Sequence, residues 1–383
     1  MHIGFLTSEY PHEKNKKRVG GIGTSIKNLV TQFMLAGNRI TIFLYAQEHD
    51  ASYIDGLLNV VYIKSSDAPF LKWYFERKKI EKIINTYVEK EDLSVVEAAE
   101  WSGITAFMDL KCKTLLRLHG SDTYFCHLEN RKLKYKNFLL EKSALKSADA
   151  IVSVSRYTAD MTQKLFGLTK KIDVIHNGID MGLFPPLQEN VSDLNTILYF
   201  GTLVRKKGVL EIPAIFTHVL EHNPKAKLLL IGNDAIDVQT KTSTWGLMQE
   251  KFDKKALERV DYLGPVPYEK MRENILKSTV CIFPSYAEAF PVSWMEAMAC
   301  EKPVVTSDIG WAKELIKHGE NGLCIFPKKH VEYAACINSV LDSTTYAKSL
   351  GKAARKCIED SFDAKLIAEK NIHYYETMIE KSV

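Results

Sequence analysis

Residues 281–308 read CIFPSYAEAFPVSWMEAMACEKPVVTSD, and the order of residue types in this stretch decides the fold class. An apolar run ends near Pro284, a polar loop carries Glu288, Pro291 opens a segment with helical spacing, and PVVTSD (303–308) begins a second apolar run. Proline suits the first position of a helix, where its missing N–H would have no partner anyway. Strand, loop, helix and strand in that order form a βαβ unit, the connection that joins parallel strands.

The same alternation extends in both directions. Upstream, HIGFLT (2–7), RITIFLY (39–45), NVVYI (59–63), SVVEA (94–98), TLLRLHG (114–120), AIVSVS (150–155) and DVIHNG (173–178) read as strands buried on both faces of a parallel sheet. A second series follows in TILYFGT (196–202), AKLLLIG (226–232), RVDYLG (259–264), STVCIFPS (278–285), PVVTSD (303–308) and LCIFP (323–327). Two consecutive series predict two doubly wound α/β domains, with function in the loops after the strands. PPLQENVSDLN (185–195) combines two prolines with polar residues and no periodicity, which marks the connection. The expected domains are 1–188 and 189–365.

Composition bounds the function classes. At 383 residues, 46% hydrophobic and 26% charged, the chain is neither collagenous, disordered nor a disulfide scaffold. It has no apolar run of the roughly 20 residues that span a bilayer, and MHIGFLTSEY is no signal peptide, so a cytoplasmic protein is expected. Seven widely spaced cysteines fit reduced thiols better than a disulfide framework or a zinc site. A net charge of +4, with the excess in the first half, is too mild for a nucleic-acid binder. RKLKYKNFLLEKSALKS (131–147) carries six basic residues beside Leu133, Phe138, Leu139 and Leu145; it reads as a half-buried scaffold helix or as a peripheral membrane contact.

Chemistry concentrates in four places. Around Val292 and Ser293, a helix that starts after Pro291 points free amides outward, an anion site for a phosphate. Glu288 and Glu296 flank that site, and a carboxylate accepts from two vicinal hydroxyls, so the pair suits the sugar and ribose ends of a nucleotide sugar; an isolated pair reads more readily as a solvated loop residue and a surface helix residue. Gly20-Gly21-Ile22-Gly23-Thr24 opens a helix after the first strand, without the spacing of a dinucleotide fingerprint, and reads as a diphosphate approach or a flexible helix start. His119 ends a strand, either directed at a cleft floor or tied up structurally. Arg205, Lys206 and Lys207 form a basic turn after another strand, and no Asp-x-Asp pair is placed to hold a metal on a diphosphate.

The Glu-x7-Glu spacing within EAFPVSWMEAMA, together with GGIGTSIKNL (20–29), LHGSD (118–122), SVSRYT (153–158), VIHNGID (174–180), YFGTLVRKKG (199–208) and ENGLCI (320–325), resembles the retaining family-4 glycosyltransferases over nearly the whole chain. The resemblance implies the GT-B fold, two Rossmann-like doubly wound parallel-sheet domains facing across a cleft, with a C-terminal helix at about 366–383 returning to the first domain. It implies a retaining transfer of sugar from a UDP- or GDP-sugar to a glycan or lipid-linked hydroxyl, with no cofactor and no metal.

By the same resemblance, His119 and Glu288 contact the transferred sugar, Glu296 the ribose, and Lys207 the donor phosphates. Gly21, Gly23, Phe290, Pro291, Val292 and Ser293 complete the donor site. Thr202 stands where the family has an arginine, and Arg205 is expected to approach the phosphate in its place. Glu301 and Gly310-Trp311 replace family glycines. The alternatives are a nucleotide-sugar epimerase on the same fold and a non-catalytic nucleotide-sugar-binding partner subunit, for which Thr202 is the hint.

Overall fold

The computed structural model describes residues 1–14, 19–185 and 195–380, and divides the chain into two units, 1–178 with 364–383 and 179–363. The first holds β1 (His2–Thr7), α1 (Gly21–Leu35), β2 (Arg39–Gln47), β3 (Ala51–Asp55), β4 (Leu58–Lys64), α2 (Lys72–Glu91), β5 (Val95–Ala99) and β6 (Lys113–Leu118). It continues with α3 (Asp122–Leu128), α4 (Tyr135–Ser147), β7 (Ala150–Ser153), α5 (Arg156–Phe166) and β8 (Asp173–Val174). The strands lie in the order β3-β4-β2-β1-β5-β6-β7-β8, parallel except for the β3–β4 hairpin. β3 carries no signal in the apolar pattern because it is an edge strand with no fully buried residue.

The apolar runs of this sheet are continuous because alternate residues feed opposite faces. Phe43 and Val61 pack with Ile80 and Ile84 of α2 and with Leu140, Ala144 and Leu145 of α4. Ile42, Leu44, Val60 and Tyr62 face the other way, onto Leu29, Val30 and Phe33 of α1. Ser121 and Ser155 cap α3 and α5, each side chain accepting a backbone amide three residues on at 3.1 Å.

The second unit holds β9 (Thr196–Phe200), α6 (Ile212–His222), β10 (Lys227–Ile231), α7 (Thr244–Lys251), α8 (Lys254–Leu257), β11 (Val260–Tyr262), α9 (Tyr268–Lys277) and β12 (Val280–Phe283). After these come α10 (Val292–Ala299), β13 (Val304–Thr306), β14 (Leu323–Cys324), α11 (His330–Leu341) and α12 (Thr344–Ser361). Its sheet is parallel throughout, in the order β11-β10-β9-β12-β13-β14. The expected boundary at 188/189 and most of the expected linker lie outside the described residues. The described chain changes unit between Gly178 and Ile179: Ile179 bridges Asp363, and the Phe184 carbonyl accepts from Arg355 at 2.6 Å.

The last helix, α13 (Ala364–Glu380), belongs to the first unit, with Ile367, Ala368 and Tyr375 in the core on the α1 side of the sheet. A buried ionic group fastens it. Arg117 of β6 donates through Nε and Nη2 to the two oxygens of Glu97 on β5, both at 2.7 Å. Arg117 Nη2 also reaches Asn371 Oδ1, and the Tyr375 hydroxyl donates to Glu97, each at 2.5 Å. All four side chains are buried, so every charge is paired and hydrogen-bonded where bare desolvation would cost several kcal/mol. Arg117→Met leaves Glu97 uncompensated and is expected to lower stability by about 3–5 kcal/mol in urea unfolding. Tyr375→Phe removes one hydrogen bond to a charged group and is expected to cost about 1.5–3 kcal/mol. Unfolding of Arg117→Met at the parent midpoint would remove this group from the account of the fold.

Candidate active site

In a doubly wound sheet, ligands bind beyond the carboxyl ends of the strands where strand order reverses. In the second unit that point lies between β9 and β12, so the loops 201–208 and 284–291 border it. Backbone contacts join them. The Lys206 carbonyl accepts from the amides of Tyr286 at 2.8 Å and Ala287 at 3.1 Å. Gly208 makes this approach feasible: its φ is +66°, and a Cβ there would stand 1.7 Å from the Pro284 carbonyl oxygen. The joined loops set Lys207 Nζ 2.9 Å from Glu288 Oε1. Ser285 Oγ donates to the same oxygen at 3.4 Å.

Helix α10 begins at Val292. Pro291 immediately precedes it with ψ at 118°, one residue outside the helix and not its first residue as expected, because an extended ψ belongs to the flanking position. The first amides of α10 lack intrahelical acceptors, and the helix dipole favours an anion at this end. Glu296, one turn further, is 7% exposed and accepts the Tyr268 hydroxyl at 2.9 Å. Burial pushes its pKa up to about 7, opposed by that hydrogen bond and by the positive charge of Lys207. Tyr268, at the start of α9, carries no signal in the sequence; the fold alone delivers it to Glu296.

Two of the expected residues are occupied differently. Arg205 donates through Nε and Nη2 to the carboxylate of Asp237 at 2.8 and 2.9 Å. Asp237, though fully buried, also accepts the amides of Gln239 and Thr240 and the Thr240 hydroxyl; the Arg205 guanidinium first, and then these bonds, outweigh burial and hold its pKa far below the usual carboxylate range. The guanidinium expected to replace the missing arginine at Thr202 therefore spends its fork on fastening one loop to another. Phe290, expected to frame a sugar, is 4% exposed with its ring centroid 5.5 Å from that of Phe362, because an apolar ring gains more from the core than from a polar cleft. Trp311 is likewise fully buried.

In the first unit, strand order reverses between β1 and β5. After β1, the Glu9 carboxylate accepts the amides of Gly20 at 2.8 Å and Gly23 at 3.1 Å. The turn carrying Gly21 and Gly23, expected to meet a diphosphate, thus holds an anion supplied by the chain itself. The sequence pattern did not single out Glu9. After β5, buried Glu100 accepts the His119 amide at 2.9 Å. Burial pushes Glu100 up to about 8, and its Oε1 has no hydrogen-bond partner among the described residues. His119 is pushed down to about 3 by burial and by the charge of Arg117, so its imidazole is neutral.

The structure thus brings Lys207, Glu288, Pro291, Val292, Ser293 and Glu296 together in the second unit, while Gly21, Gly23 and His119 belong to the first. Among the described residues, no group of three His, Cys, Asp or Glu side chains is arranged to hold a metal. No helix among them is long and apolar enough to cross a membrane.

Comparison with known proteins agrees with this fold. Residues 19–183 match the model of Glycosyltransferase Family 4, and residues 186–357 that of glycosyl transferases group 1. An uncharacterized glycosyltransferase of Methanocaldococcus jannaschii is 25% identical over 99% of both chains. Among solved structures, sucrose-phosphate synthase from Thermosynechococcus elongatus superposes with a TM-score of 0.82 at 20% identity over 100% of both chains. Anabaena HepE in complex with UDP and glucose superposes with a TM-score of 0.73 at 18% identity, over 98% of this chain and 99% of that one. With both parallel-sheet units matched and the loops between β9 and α10 built as described, the chain belongs to the family-4, group 1 glycosyltransferases of GT-B fold.

Proposed function

We propose that the protein is a retaining glycosyltransferase that moves a hexose from a UDP- or GDP-sugar onto a hydroxyl of a glycan or lipid-linked acceptor, without a metal. The observation that carries this reading is the Lys207–Glu288 pair beside the start of α10, with Glu296 one turn in. Lys207 and the α10 amides meet the donor diphosphate, Glu288 holds hydroxyls of the sugar, and Glu296 holds the ribose. UDP bound to HepE supports a uridine donor. In the first unit taken by itself, His119 is neutral, and the glycine turn at Gly21 and Gly23 offers its amides to an anion once Glu9 yields them.

The step needs no strong base in the protein. The acceptor oxygen bonds to the anomeric carbon on the face from which the phosphate leaves, the carbon–phosphate oxygen bond breaks, and the acceptor proton passes to the departing phosphate oxygen. Catalysis then lies in positioning and in stabilising leaving-group charge. Lys207 faces charge that grows as the bond breaks.

Glu296→Ala is expected to weaken donor binding by about 1.5–3 kcal/mol, read by calorimetry, whereas Glu288→Ala chiefly lowers kcat. Intact folding with unchanged donor affinity and turnover in both would sink the assignment. Because the free Glu296 carboxyl titrates near 7 and its ionised form is the better acceptor for two ribose hydroxyls, donor affinity is expected to rise between pH 6 and 8. That rise should disappear in Glu296→Gln.

Lys207→Ala is expected to lower turnover by a factor on the order of 100 with little change in stability. Arg205→Ala should instead lower stability by about 1–3 kcal/mol in urea unfolding, since it leaves the buried Asp237 short of its cation. Equal kinetic losses in the two, with stability intact in both, would return Arg205 to the phosphate. Transfer should survive excess EDTA; complete and reversible loss on chelation would contradict the metal-free clamp. Donor binding without hydrolysis or transfer in the parent protein would favour the non-catalytic reading that Thr202 suggests.

A further inference from the structure

Tyr268 has no part in the transfer described above, yet it closes on the Glu296 carboxylate. It is the first residue of α9, directly after Pro267, whose ring restricts φ to −56° and whose ψ is 151°. α9 leaves β11 at the sheet edge and returns to β12, so its first turn lies beyond the carboxyl ends of the strands, where the unit's site is built. There the phenol donates to Glu296 Oε1 at 2.9 Å, and no other group among the described residues donates to that carboxylate. Tyr268 is 43% exposed, whereas Glu296 is 7% exposed. So open a ring adds little to the core, and the contact that fixes it is the hydrogen bond.

A glutamate carboxylate turns easily, because its last torsion is broad. A donor fixed on one oxygen stops that rotation and leaves the second oxygen, with its lone pairs, facing one direction. The phenol keeps its proton to do so: burial and the neighbouring Glu296 hold its pKa well above the usual tyrosine range. The other groups near Glu296 do not orient it. Lys207, from the loop after β9, acts through charge and is held by Glu288 at 2.9 Å. Cys300, just past the end of α10, is pushed up to about 12 by burial and stays a neutral thiol. Arg272 of α9 acts on Cys300, and Asp180 acts on Tyr268.

We propose that Tyr268 is a positioning residue for donor recognition: its hydroxyl turns Glu296 so that the free oxygen accepts from the 2′- and 3′-hydroxyls of a nucleoside diphosphate, which selects ribose over deoxyribose. The inference rests on the reading that Glu296 holds the ribose. The same hydrogen bond favours the ionised carboxylate against the burial that opposes it, so losing the hydroxyl raises the pH at which Glu296 becomes an acceptor for both hydroxyls.

The test is calorimetric titration of the full chain with UDP, GDP and their 2′-deoxy analogues from about pH 6 to 9, across the range in which Glu296 titrates. Glu296→Gln supplies the background, since the terminal phosphate of the ligand titrates at about 6 in every variant. Tyr268→Phe is expected to weaken binding about tenfold at neutral pH and to move the midpoint of the pH-dependent rise upward by about one unit. It should also narrow the preference for ribose by about threefold or more. Tyr262→Phe removes a hydroxyl that donates to the Gly232 carbonyl at 2.9 Å, and should leave midpoint and preference as in the parent. Circular dichroism should show every variant folded. A parental midpoint and ribose preference in Tyr268→Phe, with Glu296→Ala weakened, would overturn the inference and leave the reading of Glu296 standing. A loss in Tyr268→Phe that is uniform across pH and sugar would place Tyr268 in direct contact with the ligand and overturn its positioning role. Parental binding by Glu296→Ala, or no binding of either ribonucleotide to the parent, would remove that reading and the inference with it.

Discussion

The close approach of Gly208 to the Pro284 carbonyl governs the second unit's site. A Cβ at that position would overlap the carbonyl oxygen, so the loops after β9 and β12 meet only because position 208 has no side chain. Lys207 and Glu288 are neighbours as a result, although their loops are widely separated in the chain. At rest the two charges satisfy each other, with 22% and 12% of their side chains exposed. Removing either partner of so largely buried a pair leaves the other charge uncompensated. Glu296 is different. Its burial favours the neutral acid until an ordered partner compensates, which makes its charge depend on pH near 7.

The first unit uses carboxylates where its backbone would otherwise leave donors open. Glu9 covers the start of α1, Glu100 the end of β6, and Glu141 the start of α3. Each follows or faces the carboxyl end of a strand, where loop amides converge and an anion is favoured. Glu9 is the most telling, because it occupies the glycine turn as a phosphate would. Any anion bound there must replace it, so the turn is organised before a ligand arrives. Glu100 and His119 both lean toward their neutral forms, one pushed up and the other down by burial. A neutral imidazole held by its backbone can donate or accept a hydrogen bond without carrying charge.

The C-terminal helix completes the first unit through polar chemistry as much as through apolar area. Ile367, Ala368 and Tyr375 bury against the sheet, while Asn371 and the Tyr375 hydroxyl engage the Arg117–Glu97 pair. A purely apolar helix face could slide by a turn at small cost. Directional bonds to one buried pair admit a single register, the best-attested use of buried polar groups.

The sequence by itself determined the fold class and the local spacing of Glu288 and Glu296. Apolar runs alternating with helical spacing reflect strands buried on both faces, and that burial leaves its mark on every strand except the exposed edge β3. The Glu288–Glu296 spacing was legible because a loop, a proline and a short helix set both carboxylates by local geometry. Partners that come from elsewhere in the chain were decided only by the tertiary structure. Arg205 was expected at a phosphate and lies on Asp237, Phe290 was expected at a sugar and lies on Phe362, and Tyr268 and Glu9 were not anticipated. The physical reason is common to all four: a charge or ring settles with whichever complementary group folding brings within reach, and that proximity depends on strand order and loop contact, which residue spacing along the chain does not encode.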